Sequence, residues 1–430
     1  MSQLDPVQAA VREEARVTSL TGEMSESLLP NGVKVLTERI PGVRSVSTGV
    51  WVRQGAAFEP REIMGASHLL EHMVFKGTER RSAREIALSL ESLGGSLDAY
   101  TSREHTSYQA RVLDDHLGLA LDVLADLVLS PLLREEDLAL EREVVLEEIA
   151  TVEDTPDDLV FDLHGERLWG EHPYGHSILG TRETVGGMSA ATLREIHQGR
   201  YTGQNLVVAA AGQLQHEDVV ERVQRLFGAV DAGEASPGLS IPGTLPAGSH
   251  HQERPSAQTH LVFGGGIPGH SDPRRFPLAL ISSAMGGGMS SRLFQRVREE
   301  LALAYSVFTF QSFYSQAGIS GVYVGTRPAT AGKAAEAVRE ELGRVAGEGL
   351  PLEELEQTKQ QLKGQIMLSL ESTGSRLYRL AGFALHEEPF LTLDEVLKKL
   401  DAVSSEEVAA AAGDFFDPDK LLLLSLGPSE

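Results

Sequence analysis

The order of elements repeats along this chain, and that repetition restricts its fold more than any other feature. Residues 45–152 read as strand, helix, helix, strands, helices, and the same order returns from residue 259. In the first copy SVSTGVWV places β-branched residues at alternate positions, and the pattern stops at Gly55 and Pro60. GASHLLEHMVFKGT follows as a helix that is apolar nearly all round through Leu69, Leu70, Met73, Val74 and Phe75, which makes it a buried helix. Ser82–Leu93 is a second helix with Ser82 as its N-cap, and LGGSLDAYTSREHTSYQARVL then turns to strand. Residues 114–129 and 134–152 return to a helical period, whereas Pro156–Gly180 reads as irregular. The second copy runs through THLVFGGGI, PLALISSAMGG, SSRLFQRVREEL, YSVFTFQSF and GISGVYVGT, with helices from Ala329. Between the copies, residues 229–258 are dense in Gly, Pro, Ala and Ser without periodicity and read as a linker. The expected organisation is a loosely structured or helical leader (1–25), a first domain (26–228), the linker, and a second domain (259–430). An Asn31-Gly32 turn near the start of the first domain predicts a hairpin.

Charge narrows the classes of function. With 38 basic and 62 acidic residues the formal charge is −24, which disfavours nucleic acid and anionic membrane surfaces as partners. The chain has no cysteine, so any metal site must be built from His and carboxylates. No apolar run is long enough to span a membrane, and the first residues lack the pattern of a secretory signal. A cytoplasmic location is the expectation.

The buried helix carries His68, Glu71 and His72, three polar residues that need partners there. Four residues advance ~400° around a helix, so the two imidazoles share a face and Glu71 projects from the same turn. Two nitrogens could hold a metal ion, and the carboxylate would stand beside a water on it; H-x-x-E-H is a metallopeptidase order of residues. A third ligand is wanted. In LREEDLALEREVVLEEIATVED the stripe Leu138, Glu141, Val145, Glu148, Val152 is apolar except for its two glutamates. Periodicity selects Glu141 or Glu148 and leaves both open, while Glu143 and Glu147 point elsewhere.

At this point the chain resembles the pitrilysin family of zinc peptidases, especially the mitochondrial processing peptidase β subunit and its bacterial relatives. The matching stretches are GASHLLEHMVFKGT, LGGSLDAYTSREHTSY, EREVVLEEI, HPYGHSILG and GGGMSSRLFQRVREELALAYSV, spread over nearly the whole chain. The resemblance implies an α+β fold of two homologous α/β-roll domains, each a mixed, mainly antiparallel sheet flanked by helices, together forming a clamshell. It implies one zinc ion per chain on His68, His72 and Glu148, Glu71 as general base, and Glu141 as a supporting acid. It also implies that Arg298 and Tyr305 reach the substrate from the second domain. Both lie seven residues apart, which would put them on one helix-end face. Asp98, Ala99 and Tyr100 fall in the strand that resembles the family's edge strand, to which an extended peptide is added. Asp98 stands where the family usually has Asn, which removes an amide donor.

The implied function is a zinc-dependent endopeptidase acting on peptides or unfolded segments in an enclosed chamber, working as a homodimer. A His₂Glu set also accepts Mn or Co. The alternative is a non-catalytic scaffold or substrate-binding subunit, since the family includes subunits whose motif is degraded; this chain keeps all four motif residues. His172 and His176 read as structural loop residues and His250-His251 as exposed linker residues. The Gly264–Gly266 and Gly286–Gly288 runs read as tight turns or a flexible loop, because no Lys-Ser/Thr pair follows either one.

Overall fold

The computed structural model describes residues 11–19, 22–243 and 245–428. The strands β1 (Arg12–Ser19), β2 (Gly22–Leu28), β3 (Lys34–Arg39) and β4 (Ser45–Val52) lead to the helices α1 (Ala66–Val74) and α2 (Ala83–Glu91). The pair β5 (Ser96–Thr101) and β6 (Thr106–Leu113) is followed by α3 (Leu117–Leu129), α4 (Glu135–Glu153) and α5 (Pro156–Trp169). Next come α6 (Arg182–Gly187), α7 (Ala190–Arg200), β7 (Leu206–Gly212) and α8 (His216–Phe227). The second half runs β8 (Gly248–Glu253), β9 (Thr259–Pro268), α9 (Arg275–Gly286), a π-helical segment (Phe294–Glu300), β10 (Ala304–Phe313) and β11 (Ala317–Thr326). It ends with α10 (Ala331–Glu348), α11 (Leu352–Ser369), α12 (Thr373–Leu385), α13 (Leu393–Ala402), α14 (Ser405–Phe415) and β12 (Leu422–Gly427).

Two compact units result. The first takes the chain up to Glu147, with Ile178–Gly238 and Ser369–Thr392. Its sheet has the order β1-β2-β3-β7-β4-β6-β5, antiparallel except where β3 lies beside β7. The hairpin at Asn31-Gly32 forms as its residues dictate: Gly32 takes φ +95°, and Leu28 pairs with Lys34. Ser82 caps α2 in a closed box, its hydroxyl accepting from the Glu85 N–H while its own N–H donates to the Glu85 carboxylate. One apolar cluster joins this sheet to α12. Leu377, Leu380, Ala381 and Ala384 pack on Leu36, Trp51, Val207, Ala209 and Ala211. Arg53 donates to the carbonyls of Ala384 and Leu385, which satisfies the end of α12, and Arg376 pairs with Glu38 in a buried ion pair.

The second unit gathers Glu148–Ser177, Leu239–Leu368 and the chain from Leu393. Its sheet runs β10-β11-β9-β12-β8, with only β12 and β8 parallel. The core of this unit is built on Phe263, Leu278, Ile281, Met285, Val322 and Val338 with the inner faces of α9, α10 and α14.

Several expectations are corrected here. The compact units are not the contiguous spans 26–228 and 259–430: α5 belongs with the second sheet and α12 with the first, because each finds its apolar partner there. Pro156–Gly180 is not irregular throughout. Its first part is α5, whose Val160 packs on Val262, Tyr323, Leu424 and Leu426. The leader holds β1 and the start of β2 rather than helix, with residues 1–10 outside those described. β1 is an edge strand whose Arg16 pairs with Glu13 of the same strand, Glu23 of β2 and Glu217 of α8. The linker contains β8. Gly264–Gly266 is no turn but part of β9: a Cβ on Gly264 would fall 2.4 Å from the His164 ring of α5, so the glycine permits that approach. No described helix is long and apolar enough to cross a membrane.

Candidate metal centre

The placement of α1 begins at its N-terminus. Gly65 has φ +88°, and a Cβ there would meet the Leu179 carbonyl oxygen at 2.5 Å; Gly180, φ +79°, lies equally close to Met64. The HPYGHSILG segment therefore serves as a backbone brace for α1. Thr184 reinforces it by donating to the Met64 carbonyl at 2.8 Å. The first N–H groups of the helix are satisfied by Glu59, whose carboxylate accepts from Gly65 at 2.8 Å and Ser67 at 2.6 Å. Glu59 is buried. Burial pushes its carboxyl up to about 7, against the hydrogen bonds from Ser67 and from the backbone of Gly65 and Ala66, which pull it down. Leu69, Leu70, Met73 and Val74 then anchor the helix in the core.

On this helix the His68 and His72 rings stand 4.7 Å apart. Glu148 of α4 joins them, and one ligand atom from each of the three lies within 4.8 Å of the others. Small side-chain movements would bring such donors onto one ion with bonds of ~2.0–2.2 Å. Burial, and then the neighbouring His72, lower His68 to about 4. Its imidazole is thus neutral at pH 7, the form that ligates. Two nitrogens and one carboxylate are a donor set suited to zinc, and the residues fit that ion.

The periodicity of α4 left Glu141 and Glu148 as rivals, and the structure separates them. Glu141 is buried with its Oε2 at 3.2 Å from Nδ1 of His72 and its Oε1 at 2.5 Å from Lys76 Nζ. A carboxylate only accepts there, so Nδ1 carries the proton and Nε2 is left for a metal. Glu143 and Glu147 are exposed, as their phase predicts. The seat of α4 is made by Leu138 and Val145, both fully buried, and by Arg142, which donates to the Met188 carbonyl.

Glu71 receives a hydrogen bond of 2.5 Å from the Thr101 hydroxyl on its Oε2. Tyr108 and Tyr201 bury their hydroxyls nearby, 2.8 Å apart, and both phenols are raised by burial, with the charge of Glu71 adding to the effect. Thr101 ends β5, which closes one edge of the seven-stranded sheet as expected. On β5 Asp98 is exposed, Ala99 pairs with Tyr108, and the Tyr100 hydroxyl lies 3.0 Å from Nε2 of His105.

Arg298 and Tyr305 do not share a helix face. The chain leaves the π-helical segment at Leu301, Ala302 turns with φ +49°, and Tyr305 is the second residue of β10. They meet instead through a cation–π contact, the guanidinium standing 4.8 Å from the Tyr305 ring centre and 4.6 Å from that of Phe294. His172 is held in its loop, accepting from the Tyr174 N–H, as a structural residue would be. Three participants had not been singled out: Glu59, Lys76 and Thr101. The demand of a buried Glu141 for a cation was the one signal that pointed toward Lys76.

Comparison with known proteins identifies the family. The profile of "Insulinase (Peptidase family M16)" matches residues 34–182, and that of the "Peptidase M16 inactive domain" matches residues 187–362. The chain belongs to peptidase family M16, the insulinase/pitrilysin family. It is 40% identical to the uncharacterized zinc protease YmxG of Bacillus subtilis over 93% of this chain and 97% of that one. An uncharacterized zinc protease of Streptomyces coelicolor is 38% identical over 91% of this chain and 87% of its own length. Among solved structures, an M16 inactive domain from Pseudomonas fluorescens superposes with a TM-score of 0.89 at 23% identity, covering 95% of this chain and 98% of its own. A protease from Helicobacter pylori does so with a TM-score of 0.87 at 20% identity, covering 95% and 100%. At such identities these two speak for the fold alone.

Proposed function

We propose that the chain is a zinc-dependent endopeptidase that binds one zinc ion on His68, His72 and Glu148 and uses Glu71 as general base. The observation that carries this reading is the convergence of those three ligand atoms within 4.8 Å, with Glu71 on the same helical turn. When bound, zinc supplies Lewis-acid polarisation of the attacking water and of the scissile carbonyl. The chain's own residues do the rest. Glu71 takes the proton from the water and returns it to the leaving amine. Glu141 and Lys76 hold His72 in one tautomer. The open edge of β5 at Asp98–Tyr100 receives an extended peptide or unfolded segment as an added strand. Arg298, a fixed fork of donors, and Tyr305, 76% exposed, are the proposed substrate contacts from the second half, acting in an enclosed chamber. Both residue sets occur on one chain, which favours a self-sufficient active site and a homodimer over a pair of specialised subunits.

The test is cleavage of an unfolded-peptide library by the zinc-loaded protein and by Glu71→Gln. Cleavage by the wild type and its loss in a variant that retains zinc would support the reading. Stoichiometric zinc with no cleavage of any peptide by the wild type would favour the scaffold subunit.

A further inference from the structure

Strand β5 does more than offer an edge. Its side chains alternate, so Asp98 and Tyr100 share one face while Ala99 and Thr101 share the other. The Thr101 hydroxyl has three neighbours: Oε2 of Glu71 at 2.5 Å, Oγ1 of Thr106 at 3.4 Å and the Ser67 carbonyl at 3.5 Å. Thr106 spends its own proton on the Gln54 carbonyl at 2.8 Å, so toward Thr101 it presents a lone pair. The single proton of Thr101 is therefore directed by distance and by charge to the Glu71 carboxylate. The Thr101 backbone is in turn fixed, paired with Thr106 across the ladder and followed by a turn in which the Ser102 N–H donates to the His105 carbonyl at 2.8 Å.

We infer that Thr101 is a positioning residue: its hydroxyl fixes Oε2 of Glu71, so that the orientation of the base is set by β5 as well as by α1. The inference rests on the reading of Glu71 as general base. A peptide added to the edge of β5 would then lie on the strand that also anchors the base, and the two would keep one register. Misplacing a catalytic group by ~1 Å can cost on the order of 100-fold in rate, whereas substrate binding through the strand edge does not use this hydroxyl.

The test compares Thr101→Val, which keeps the shape and removes the donor, with Thr101→Ser, which restores it. In zinc-loaded protein the expected result for Thr101→Val is full zinc content, KM within about two-fold of wild type and kcat lowered by about 10- to 100-fold. Thr101→Ser should recover kcat to within about three-fold of wild type. A second readout uses metal-free protein labelled with ¹³C at the glutamate carboxyl carbons, in which Glu71 is identified by its absence from Glu71→Gln. Its resonance should move in Thr101→Val and return in Thr101→Ser. Unchanged kcat in Thr101→Val, equal impairment of both variants, or an unmoved resonance would overturn the inference. Should the wild type cleave no peptide, the endopeptidase reading fails on its own. The resonance then decides: moved and restored, Thr101 holds Glu71; unmoved, it does not.

Discussion

Glu141→Gln separates the two carboxylates of α4. In the wild type Glu141 accepts from Nδ1 of His72 at 3.2 Å and pairs with Lys76 at 2.5 Å, with its side chain 8% exposed. Lys76 keeps 35% of its side-chain surface in water, so losing its partner costs no more than about 1 kcal/mol. The His72 N–H is worse placed, because its side chain is 19% exposed and a charged acceptor becomes a neutral one. That bond is worth about 1.5–3 kcal/mol when charge-assisted, and the amide recovers roughly half of it. The net effect on holding His72 as a ligand is about 0.8–1.5 kcal/mol, or about 4- to 13-fold in zinc affinity, near the lower end of the roughly 10–100-fold known for partners of ligating histidines. Glu148→Gln removes a ligand outright and should weaken zinc by more. The assay is competition for zinc with a chelator of known affinity, applied to wild type and both variants at one pH. Glu141→Gln losing more affinity than Glu148→Gln would refute the assignment, and an affinity within two-fold of wild type would refute the role given to Glu141.

Three further outcomes follow from the packing and the buried titratable groups. Glu59 has its carboxyl raised from 4.5 to about 7 by burial, so the fold holds a proton that the unfolded chain has released; its contribution is greatest below pH 4.5 and falls as pH rises to 7, by ~3 kcal/mol in all. Glu59→Gln should flatten that part of the pH–stability curve of the metal-free protein in urea denaturation. His164, lowered from 6.5 to about 4 by burial on Gly264, acts with the opposite sign: its contribution is present above pH 6.5 and is lost as pH falls toward 4, again by ~3 kcal/mol, and His164→Gln should remove that slope. Leu380→Ala, at a fully buried position of α12, should cost about 2–5 kcal/mol by thermal or urea denaturation, and a loss under 1 kcal/mol would contradict the docking of α12 on the first sheet.

Local signals proved legible where one stretch of chain carries its own reason. The Asn31-Gly32 hairpin, the Ser82–Glu85 box and the phase of α4 each depend on residues a few positions apart, and each forms as its chemistry requires. The helix α12 was assigned to the wrong half because its apolar face, Leu377, Leu380 and Ala384, specifies burial without saying against what; its partners on β3, β4 and β7 lie more than 160 residues away. The same holds for α5, whose apolar residues show no marked helical stripe. Within the site, phase placed Glu141 and Glu148 on one face, and the structure sets them apart only by what each lies beside, Glu148 with His68 and His72 and Glu141 against Nδ1 of His72. Thr101 was invisible in advance. A hydroxyl at a strand end has many uses, and its bond to Glu71 exists only once β5 and α1 are side by side.

The central claim is that His68, His72 and Glu148 hold one zinc ion. X-ray absorption at the zinc edge of the loaded protein tests it most directly. The account predicts one equivalent of zinc with two imidazole nitrogens and carboxylate or water oxygens at ~2.0–2.2 Å, and loss of one nitrogen shell in His68→Ala. An all-oxygen sphere, or a spectrum unaltered by His68→Ala, would contradict it.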